Sequence, residues 1–333
     1  MDVGTPEGGN DSVRVRYFGV STLMFTSGGN SIMIDGFFSR PSLSKLLLGP
    51  LRPDMDRIKA ALSAGDIWFG DKAPRKQGVS DTALLKSIPG KLSVARIFVS
   101  HSHFDHAMDV GAVAKLTRAR ISGSSSTHHI AEEQGVSDKV DVHGSRAVVD
   151  VPPFTVQMFE VEHGPTPQIL RFEGALDGPL GPVPNIASYR QGINYAYWIC
   201  HPTVSLLVIP SADASIELPS GTKDGVDVVF LGIGRLGKKD KNYIEEYWRR
   251  AVTNTGARLV IPIHWDDFTR GLDLPLRPLP VVADNMAFAI EQLQGMAKKN
   301  KFPVEIRLLP LFEPVLVQSN KAGPRSCDAT ILH

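Results

Sequence analysis

Short apolar runs separated by polar turns dominate the hydrophobic pattern of the chain. Two longer segments, 240–255 and 284–299, have apolar residues at helical spacing, and we expect Asp240 and Asp284 to cap them. A shorter helix at 128–134 is predicted with Thr127 as its cap. Each half of the chain begins with strands and ends with strand–helix units, which predicts an α/β fold with two similar halves. The predicted strands are residues 13–18, 21–26, 31–34, 95–99, a strand from 121, 155–162, 193–199, 204–209, 226–231, 259–263, 304–309 and 315–318.

Two long connections, residues 39–80 and 164–191, are rich in Pro or in Gly and Pro. We expect the first to be irregular, with a short helix following it at 81–88, and both to lie over the mouth of a pocket. We expect a single domain at 13–318, a disordered tail at 1–12 and a loose tail at 319–333. The apolar side chains at the start of and within the first connection pack it onto the sheets, form a dimer contact, or form an apolar wall of the pocket. These side chains are Phe37, Phe38, Leu46, Leu47, Leu48, Trp68 and Phe69.

One turn concentrates the metal-binding chemistry of the chain. Four metal-capable side chains, His101, His103, Asp105 and His106, follow the strand at 95–99 in the pattern His-x-His-x-Asp-His. In an extended turn the first two histidines point the same way, while Asp105 and His106, at the start of the next helix, can aim at a second point. One turn can therefore supply two ligands to each of two metal ions. Imidazole and carboxylate suit Zn²⁺, Mn²⁺ or Fe.

Three further candidate ligands also come directly after apolar strands, namely His163, Asp213 and His264. In layered α/β folds, loops converge at the carboxyl ends of strands, and binding sites are built there. Together with the four residues of the turn, these three make a candidate two-metal site of seven ligands.

Other residues near these strand ends have weaker signals. Asp35 ends a predicted strand and is either a turn former or a carboxylate that hydrogen-bonds a ligand histidine. The neighbours His128 and His129 are interpreted as surface histidines, because adjacent helix residues point about 100° apart.

A glycine pattern, Gly232-x-Gly234-x-x-Gly237, matches the dinucleotide-binding fingerprint. The predicted helix begins only at Asp240, however, and the next strand ends at His264 rather than at an acidic residue. We therefore interpret this loop as a tight turn near the metal site.

The order of motifs resembles the metallo-β-lactamase superfamily, from about residue 13 to about residue 317. The resemblance implies a four-layer αββα sandwich with the site at one edge, between the two halves. It also implies a first metal held by His101, His103 and His163, a second held by Asp105, His106 and His264, and Asp213 as a bridge. Ser211-Ala212-Asp213 departs from the family pattern, which usually has Gly before the Asp, but the carboxylate can still bridge.

Smaller motifs resemble one branch of that superfamily, which includes ascorbate-6-phosphate lactonases and the phospholipase D-like enzymes that cleave N-acyl-phosphatidylethanolamine. These motifs are Gly19-Val20-Ser21-Thr22, Ile34-Asp35-Gly36-Phe37-Phe38 and Pro262-Ile263-His264-Trp265.

Two divalent ions about 3.5–4 Å apart can share a hydroxide and lower the pKa of its parent water to about 7. That nucleophile attacks a carbonyl carbon or a phosphorus atom, and Asp105, beside it, is a candidate to accept or relay a proton. The expected function is a hydrolase that uses two ions, zinc before manganese or iron, to cleave an ester or lactone bond. Phosphodiester cleavage is an open alternative. A di-iron redox protein and a non-catalytic metal-binding protein are alternatives from other classes.

Composition adds limits on partners. The net charge of +1 gives no reason to expect a nucleic-acid partner, and no apolar run is long enough to span a membrane. Cys200 and Cys327 lie far apart in the sequence and suggest no disulfide framework, so we expect a reducing, cytoplasmic location. A small-molecule substrate is expected, and an oligomer is compatible with the sequence.

Overall fold

Two seven-stranded mixed sheets form the centre of the structure, a computed structural model that describes residues 12–70, 91–164, 166–167, 171–213, 215–218 and 225–318. Their strands are β1 Val13–Tyr17, β2 Leu23–Ser27, β3 Asn30–Ile34, β4 Ser93–Phe98, β5 Arg120–Gly123, β6 Val140–Val142, β7 Ala147–Val151, β8 Phe154–Glu160, β9 Tyr195–His201, β10 Val204–Ile209, β11 Val228–Gly232, β12 Leu259–Ile263, β13 Glu305–Ile306 and β14 Val315–Val317.

Helices cover the outer faces of both sheets. The α-helices of the described residues are α1 Leu43–Leu48, α2 Met55–Ala64, α3 Phe104–Ala107, α4 Val110–Thr117, α5 Ser125–Glu133, α6 Lys241–Trp248 and α7 Met286–Lys299. A π-helical turn, Arg249–Thr253, continues α6, and short 3-10 turns occur at Ser137–Lys139, Ile186–Ser188 and Leu236–Lys238.

The two sheets have related topologies. The first has the order β14-β1-β2-β3-β4-β5-β6 and the second the order β13-β12-β11-β10-β9-β8-β7. In each, the early strands pair antiparallel, and the later ones, β3 to β6 and β10 to β13, pair parallel. The expectation of two similar halves is therefore confirmed, with β14 returning to pair with β1.

Three apolar cores separate the four layers. In β11 alternate side chains divide between two of them: Val228 and Phe230 face the core between the sheets, while Val229 and Leu231 face the core under α6 and α7. A third core lies between the first sheet and α2, α4 and α5. Burial on both faces explains why such strands are continuous apolar runs, and the αββα sandwich is confirmed.

Local chemistry explains several element boundaries. Gly28 and Gly29 both have positive φ, 55° and 80°, as the two-residue turn between β2 and β3 requires. Asp240 caps α6 as expected, because its side chain accepts a hydrogen bond from the Tyr243 amide. Asp284 does not cap α7; Asn285 does, and Asp284 instead accepts from the Arg235 and Gly237 amides.

The expected start of the helix at 128–134 was also wrong. Ser124 caps α5, and Thr127 is the third residue of a reciprocal capping box with it. Either hydroxyl residue can cap a helix, and only the path of the preceding strand decides which one does.

The first long connection is more regular than expected, because it contains α1 and α2, which begin after the side-chain caps Ser42 and Asp54. Phe37, Phe38 and Trp68 are buried under the first sheet. They pack the connection onto the sandwich, so the apolar-wall interpretation is wrong for them, while Leu47 and Leu48 are exposed. The second connection is mostly loop. The tails at 1–11 and 319–333 and the helix expected at 81–88 lie outside the described residues.

Cys200, on β9, is disulfide-bonded. This disulfide departs from the expectation of no disulfide framework. The other cysteine of the chain, Cys327, lies outside the described residues. The cytoplasmic location stays a prediction.

None of the described helices is both long enough and apolar enough to cross a bilayer.

The two sheets meet at an edge-to-face pair, Phe25 on Phe230, with ring centroids 5.2 Å apart. We expect Phe230→Ala to lower the free energy of unfolding by about 3–5 kcal/mol, because it leaves a cavity between the sheets. Leu316→Ala, at a half-exposed position, should change it by less than about 0.5 kcal/mol. Equilibrium unfolding in urea measures both, and similar losses for the two variants would contradict this account of the core.

Candidate metal centre

The His-x-His-x-Asp-His turn is shaped by the end of β4 and the start of α3. His103 has extended backbone at the N-cap position of α3, and its side chain makes no capping bond. Instead its Nε2 donates to the carbonyl oxygen of Arg171, 2.9 Å away, in the second long connection. The imidazole is thereby held between the turn and that connection.

The first group of candidate ligands is His101, His103 and His163, whose ligand atoms lie within 4.8 Å of one another. His101 Nε2 is 3.0 Å from His103 Nδ1. His163 Nδ1 donates to the Gly164 carbonyl oxygen at 2.8 Å. A neutral histidine that donates from one nitrogen keeps the other as an acceptor, so His103 and His163 each retain one nitrogen for a metal.

The second group is Asp105, His106 and His264, again within 4.8 Å. His264 Nε2 is 3.3 Å from His106 Nε2 and 3.4 Å from Asp105 Oδ2. The two groups are adjacent, because the rings of His101 and His106 are 3.9 Å apart between centroids. Six of the seven predicted ligands are thus brought together as two neighbouring triads.

Asp213 is not part of either triad. Its Oδ1 accepts from the amide and hydroxyl of Ser215, whereas its Oδ2 is buried with no hydrogen-bond partner among the described residues. Gly164, next to His163, donates its amide to Ser211 Oγ, which places the Asp213 loop against the first triad. A buried oxygen without a partner costs free energy that a cation would offset, so the residue fits a metal ligand. Its bridging role stays a prediction.

The spacing within the triads fits metal coordination. Nitrogen ligands about 2.0–2.1 Å from a tetrahedral zinc lie about 3.3 Å from one another. The closest ligand-atom pairs in the two triads, at 3.0, 3.3 and 3.4 Å, agree with that value. An imidazole–carboxylate donor set suits zinc and also manganese or iron.

The protonation states of three candidate ligands fit as well. Burial and the neighbouring histidines lower the pKa of His101 well below its ordinary value, and they lower that of His163 to about 3. Burial alone would raise the pKa of Asp105, but the charge of His106 and the contact with His264 outweigh it, and the net shift is downward. Neutral imidazoles and an ionised carboxylate are the forms that bind metal ions.

Comparison with known proteins agrees with this geometry. The sequence profile of the Metallo-beta-lactamase superfamily matches residues 15–186, which is 172 of the 333 residues. The chain belongs to the metallo-β-lactamase superfamily. No curated protein sequence matched the chain.

Solved structures share the metallo-β-lactamase fold at low sequence identity. Yeast PDE1 has a TM-score of 0.52 and 12% identity, over 92% of this chain and 99% of that one. Igni18, a metallo hydrolase from the archaeon Ignicoccus hospitalis, has a TM-score of 0.50 and 14% identity over the same shares. YhfI of Bacillus subtilis has a TM-score of 0.48 and 13% identity, over 92% of this chain and all of that one.

In this metallo-β-lactamase superfamily member, Asp35 orients one of the candidate ligands. His106 Nδ1 donates to Asp35 Oδ2 at 2.8 Å, which leaves Nε2 facing the second triad. Ser21 and Ser100 donate their hydroxyls to the same oxygen, and the Ser100 amide donates to Oδ1 at 2.8 Å. Of the two open interpretations of Asp35, the structure shows the carboxylate that hydrogen-bonds a histidine of the site.

A buried ion pair, which the sequence did not reveal, holds the backbone of His264 in place through Val20. Arg40 and Asp266 are both fully buried, with Nη1 and Oδ2 2.6 Å apart. Asp266 Oδ1 accepts from the Val20 amide at 2.7 Å, and the Val20 carbonyl accepts from the His264 amide at 2.5 Å. Burial raises the pKa of Asp266, but the charge of Arg40 outweighs it and the net shift is downward. The sequence shows Asp266 two residues after the candidate ligand His264, but no local pattern identifies Arg40 as its partner.

Backbone strain also concentrates at the site. Val20, Asp35 and His264 have positive φ of 50°, 56° and 58°. Such residues cost about 1–3 kcal/mol each and persist only where their surroundings hold them. The Asp35 and Asp266 networks are those surroundings.

The glycine-rich loop after β11 is a close-packed turn, which confirms the interpretation made from the sequence. A Cβ at Gly234 would lie 2.7 Å from His264 Nδ1, and one at Gly237 would lie 2.1 Å from the Asn285 carbonyl oxygen. These glycines are therefore required by packing against His264 and the start of α7.

His128, His129 and Glu132 also place ligand atoms within 4.8 Å on the surface of α5. The ligand atoms of the two histidines lie closer together than the angle between their side chains predicted. His129 Nδ1 lies 3.2 Å from a carboxylate oxygen of Glu132. Glu132 is exposed and both histidines are partly exposed, which agrees with surface residues.

We expect Asp35→Asn to weaken metal affinity by about 10- to 100-fold, because His106 loses the carboxylate that fixes its ring. Competition with a metal-binding dye measures the affinity. Asp109→Asn is the matched control: Asp109 is equally buried but accepts from the Phe38 and Ser39 amides rather than from a candidate ligand. Equal affinities for Asp35→Asn and wild type would contradict the orienting role.

Asp266→Asn should lower the free energy of unfolding by about 3–5 kcal/mol, because it leaves the Arg40 charge buried without its partner. The exposed pair Arg307–Glu305 provides the comparison, and Glu305→Gln should cost less than about 1 kcal/mol. Urea unfolding of both variants tests this, and a loss below about 1 kcal/mol for Asp266→Asn would show that the buried pair is not needed.

Proposed function

We propose that this protein is a metal-dependent hydrolase that uses two divalent ions to cleave an ester or lactone bond. The observation that carries the proposal is the pair of adjacent triads, each with its ligand atoms within 4.8 Å of one another. His101, His103 and His163 would hold one ion, Asp105, His106 and His264 the other, and Asp213 would bridge them. When bound, such ions lower the pKa of a water molecule from about 15.7 to about 7 and stabilise negative charge on oxygen.

The protein residues supply orientation and proton transfer. Asp35 fixes the His106 tautomer, and the carbonyl of Arg171 fixes that of His103. Asp105 is ionised and only partly exposed, so it can accept a proton from the attacking water or pass one to the leaving group.

Zinc is the favoured metal, because three imidazoles, or two imidazoles and a carboxylate, are its usual ligands in catalytic sites. Manganese and iron accept the same donors. A di-iron redox protein would be coloured and rich in iron when purified, which elemental analysis and an absorption spectrum would detect.

The choice of an ester or lactone is supported by the resemblance of residues 19–22 and 34–38 to the branch that includes ascorbate-6-phosphate lactonases. Ser21 and Asp35 from these motifs contact His106 directly. Phosphodiester cleavage is the second candidate, because the same branch includes phospholipase D-like enzymes.

We expect about two metal ions per chain after metal-supplemented expression, and hydrolysis of at least one of a simple aryl ester, a lactone or bis(p-nitrophenyl) phosphate. Removal of the metal with a chelator should abolish turnover, and zinc or manganese should restore it. Asp213→Ala should lose turnover while keeping its fold, because Asp213 lies in a loop and its Oδ2 has no described protein partner.

His128→Ala is the control and should retain turnover, since His128 lies outside both triads. Near-normal turnover of Asp213→Ala would contradict the bridging role. A metal-loaded protein without activity on any of these substrates would contradict the hydrolase proposal.

A further inference from the structure

The solvent-facing side of α5 carries a third group of metal-capable side chains. His128, His129 and Glu132 each offer one ligand atom, and these atoms lie within 4.8 Å of one another, as they do within each triad. None of the three residues belongs to either triad. The metal centre therefore does not explain why they lie together.

Helix geometry explains how two neighbouring histidines can face one point. Successive residues of an α-helix are about 100° apart around its axis, so His128 and His129 by themselves diverge. Glu132 comes four residues after His128 and three after His129, which places it between them, about 40° from the first and about 60° from the second. Helical side chains also lean toward the N-terminus, so the Glu132 carboxylate reaches back over the turn that carries the histidines.

The contacts within the group have the dimensions of a ligand set. His129 Nδ1 is 3.2 Å from Glu132 Oε2, close to the distance of about 3.3 Å between nitrogen ligands of a tetrahedral zinc. The rings of His128 and His129 stand edge to face, with their centroids 5.7 Å apart. An ion pair between His129 and Glu132 would account for their contact but not for the ligand atom of His128 beside them. A shared metal ion accounts for all three.

The helix is fixed from its buried side. A reciprocal capping box of Ser124 and Thr127 closes its first turn, and Ile130 and Ala131 are fully buried. Thr127 Oγ1 also lies 3.4 Å from Ser102 Oγ in the His-x-His-x-Asp-His turn. Because the backbone is already ordered, binding of an ion has to order only three side chains, which keeps the entropic cost of binding low.

We propose that His128, His129 and Glu132 bind a third divalent transition-metal ion, separate from the two of the metal centre. Two imidazoles and a carboxylate are a usual donor set for zinc, and nickel and copper also accept imidazole ligands. Magnesium and calcium prefer oxygen ligands and would not compete. The ion would bind whether or not the protein is a hydrolase.

The proposed third site is more open than the triads. Glu132 is exposed and the histidines are partly exposed, and three protein ligands leave one position of a tetrahedral zinc to water. The ion therefore exchanges with the buffer and is removed by desalting. The protein as purified would retain only the ions of the metal centre, about two per chain.

Zinc uptake at equilibrium tests the site. Wild type dialysed against buffered zinc should bind about one equivalent more than Glu132→Gln or His129→Gln, because each variant lacks a ligand. Loss of a residue that only orients a ligand weakens metal binding by about 10- to 100-fold, so loss of a direct ligand should weaken it by at least about tenfold. Elemental analysis over a series of free zinc concentrations measures the uptake.

Glu133→Gln is the matched control. Its carboxylate is next to Glu132 in the helix but lies 3.6 Å from the Arg52 guanidinium. Because a carboxylate that does not contact the ion acts on it only weakly through water, this variant should keep the third-site affinity within about twofold of wild type.

Chemical modification locates the ion without any measurement of turnover. Diethyl pyrocarbonate acylates an imidazole nitrogen that has a free lone pair, and peptide mass spectrometry distinguishes His128 and His129 from the histidines of the triads. Zinc at the concentration that fills the third site should protect both residues in wild type and in Glu133→Gln. It should protect neither in Glu132→Gln, and magnesium should protect neither in any of these proteins.

Equal zinc uptake by wild type, Glu132→Gln and His129→Gln would overturn the proposal, as would an extra equivalent that leaves His128 and His129 unprotected. An excess of about half an equivalent per chain would also overturn it, because that is the value for an ion shared across a two-fold axis between two copies. The ions of the triads are counted separately, in the variants that lack the third site. If those variants bind no zinc while wild type still gains the extra equivalent, the third site stands and the two-metal hydrolase proposal is wrong.

Discussion

The hydrogen bond between Asp35 and His106 is the contact on which the metal centre depends. Asp35 lies in a left-handed conformation at the end of β3, and its two oxygens accept from Ser21, Ser100 and His106. It thereby ties the start of β2, the end of β4 and the first turn of α3 to one buried carboxylate. That carboxylate fixes the tautomer of His106. The packing of the first sheet, which positions Asp35, therefore also positions His106 in the second triad.

The second sheet reaches the same site through a different restraint. His264 follows β12, and its strained backbone is held by Val20, Asp266 and the buried charge of Arg40. Two interlocking networks, one centred on Asp35 and one on Asp266, thus set the two halves of the fold against each other at the triads. The strain and the buried charges reduce stability locally, and the large core between the sheets compensates for them.

The electrostatics of the site suit cations. Burial and the neighbouring histidines favour the neutral imidazole at His101 and His163, while the charge of His106 and the contact with His264 keep Asp105 ionised. Neutral imidazoles and an ionised carboxylate are the forms that bind metal ions.

Local patterns in the sequence determined most strands, α6, α7 and four of the six residues that form the triads, because apolar runs and the His-x-His-x-Asp-His spacing are properties of short segments. They also placed His163 and His264 at strand ends, where parallel strands must meet at one edge. Only the tertiary structure decided that Arg40 pairs with Asp266, that Phe37 and Phe38 are core residues, and that the Arg171 carbonyl accepts from His103. The two hydrogen bonds join segments about 70 and 230 residues apart, and the burial of the two phenylalanines depends on which face of the chain is covered. No local pattern in the sequence encodes either property.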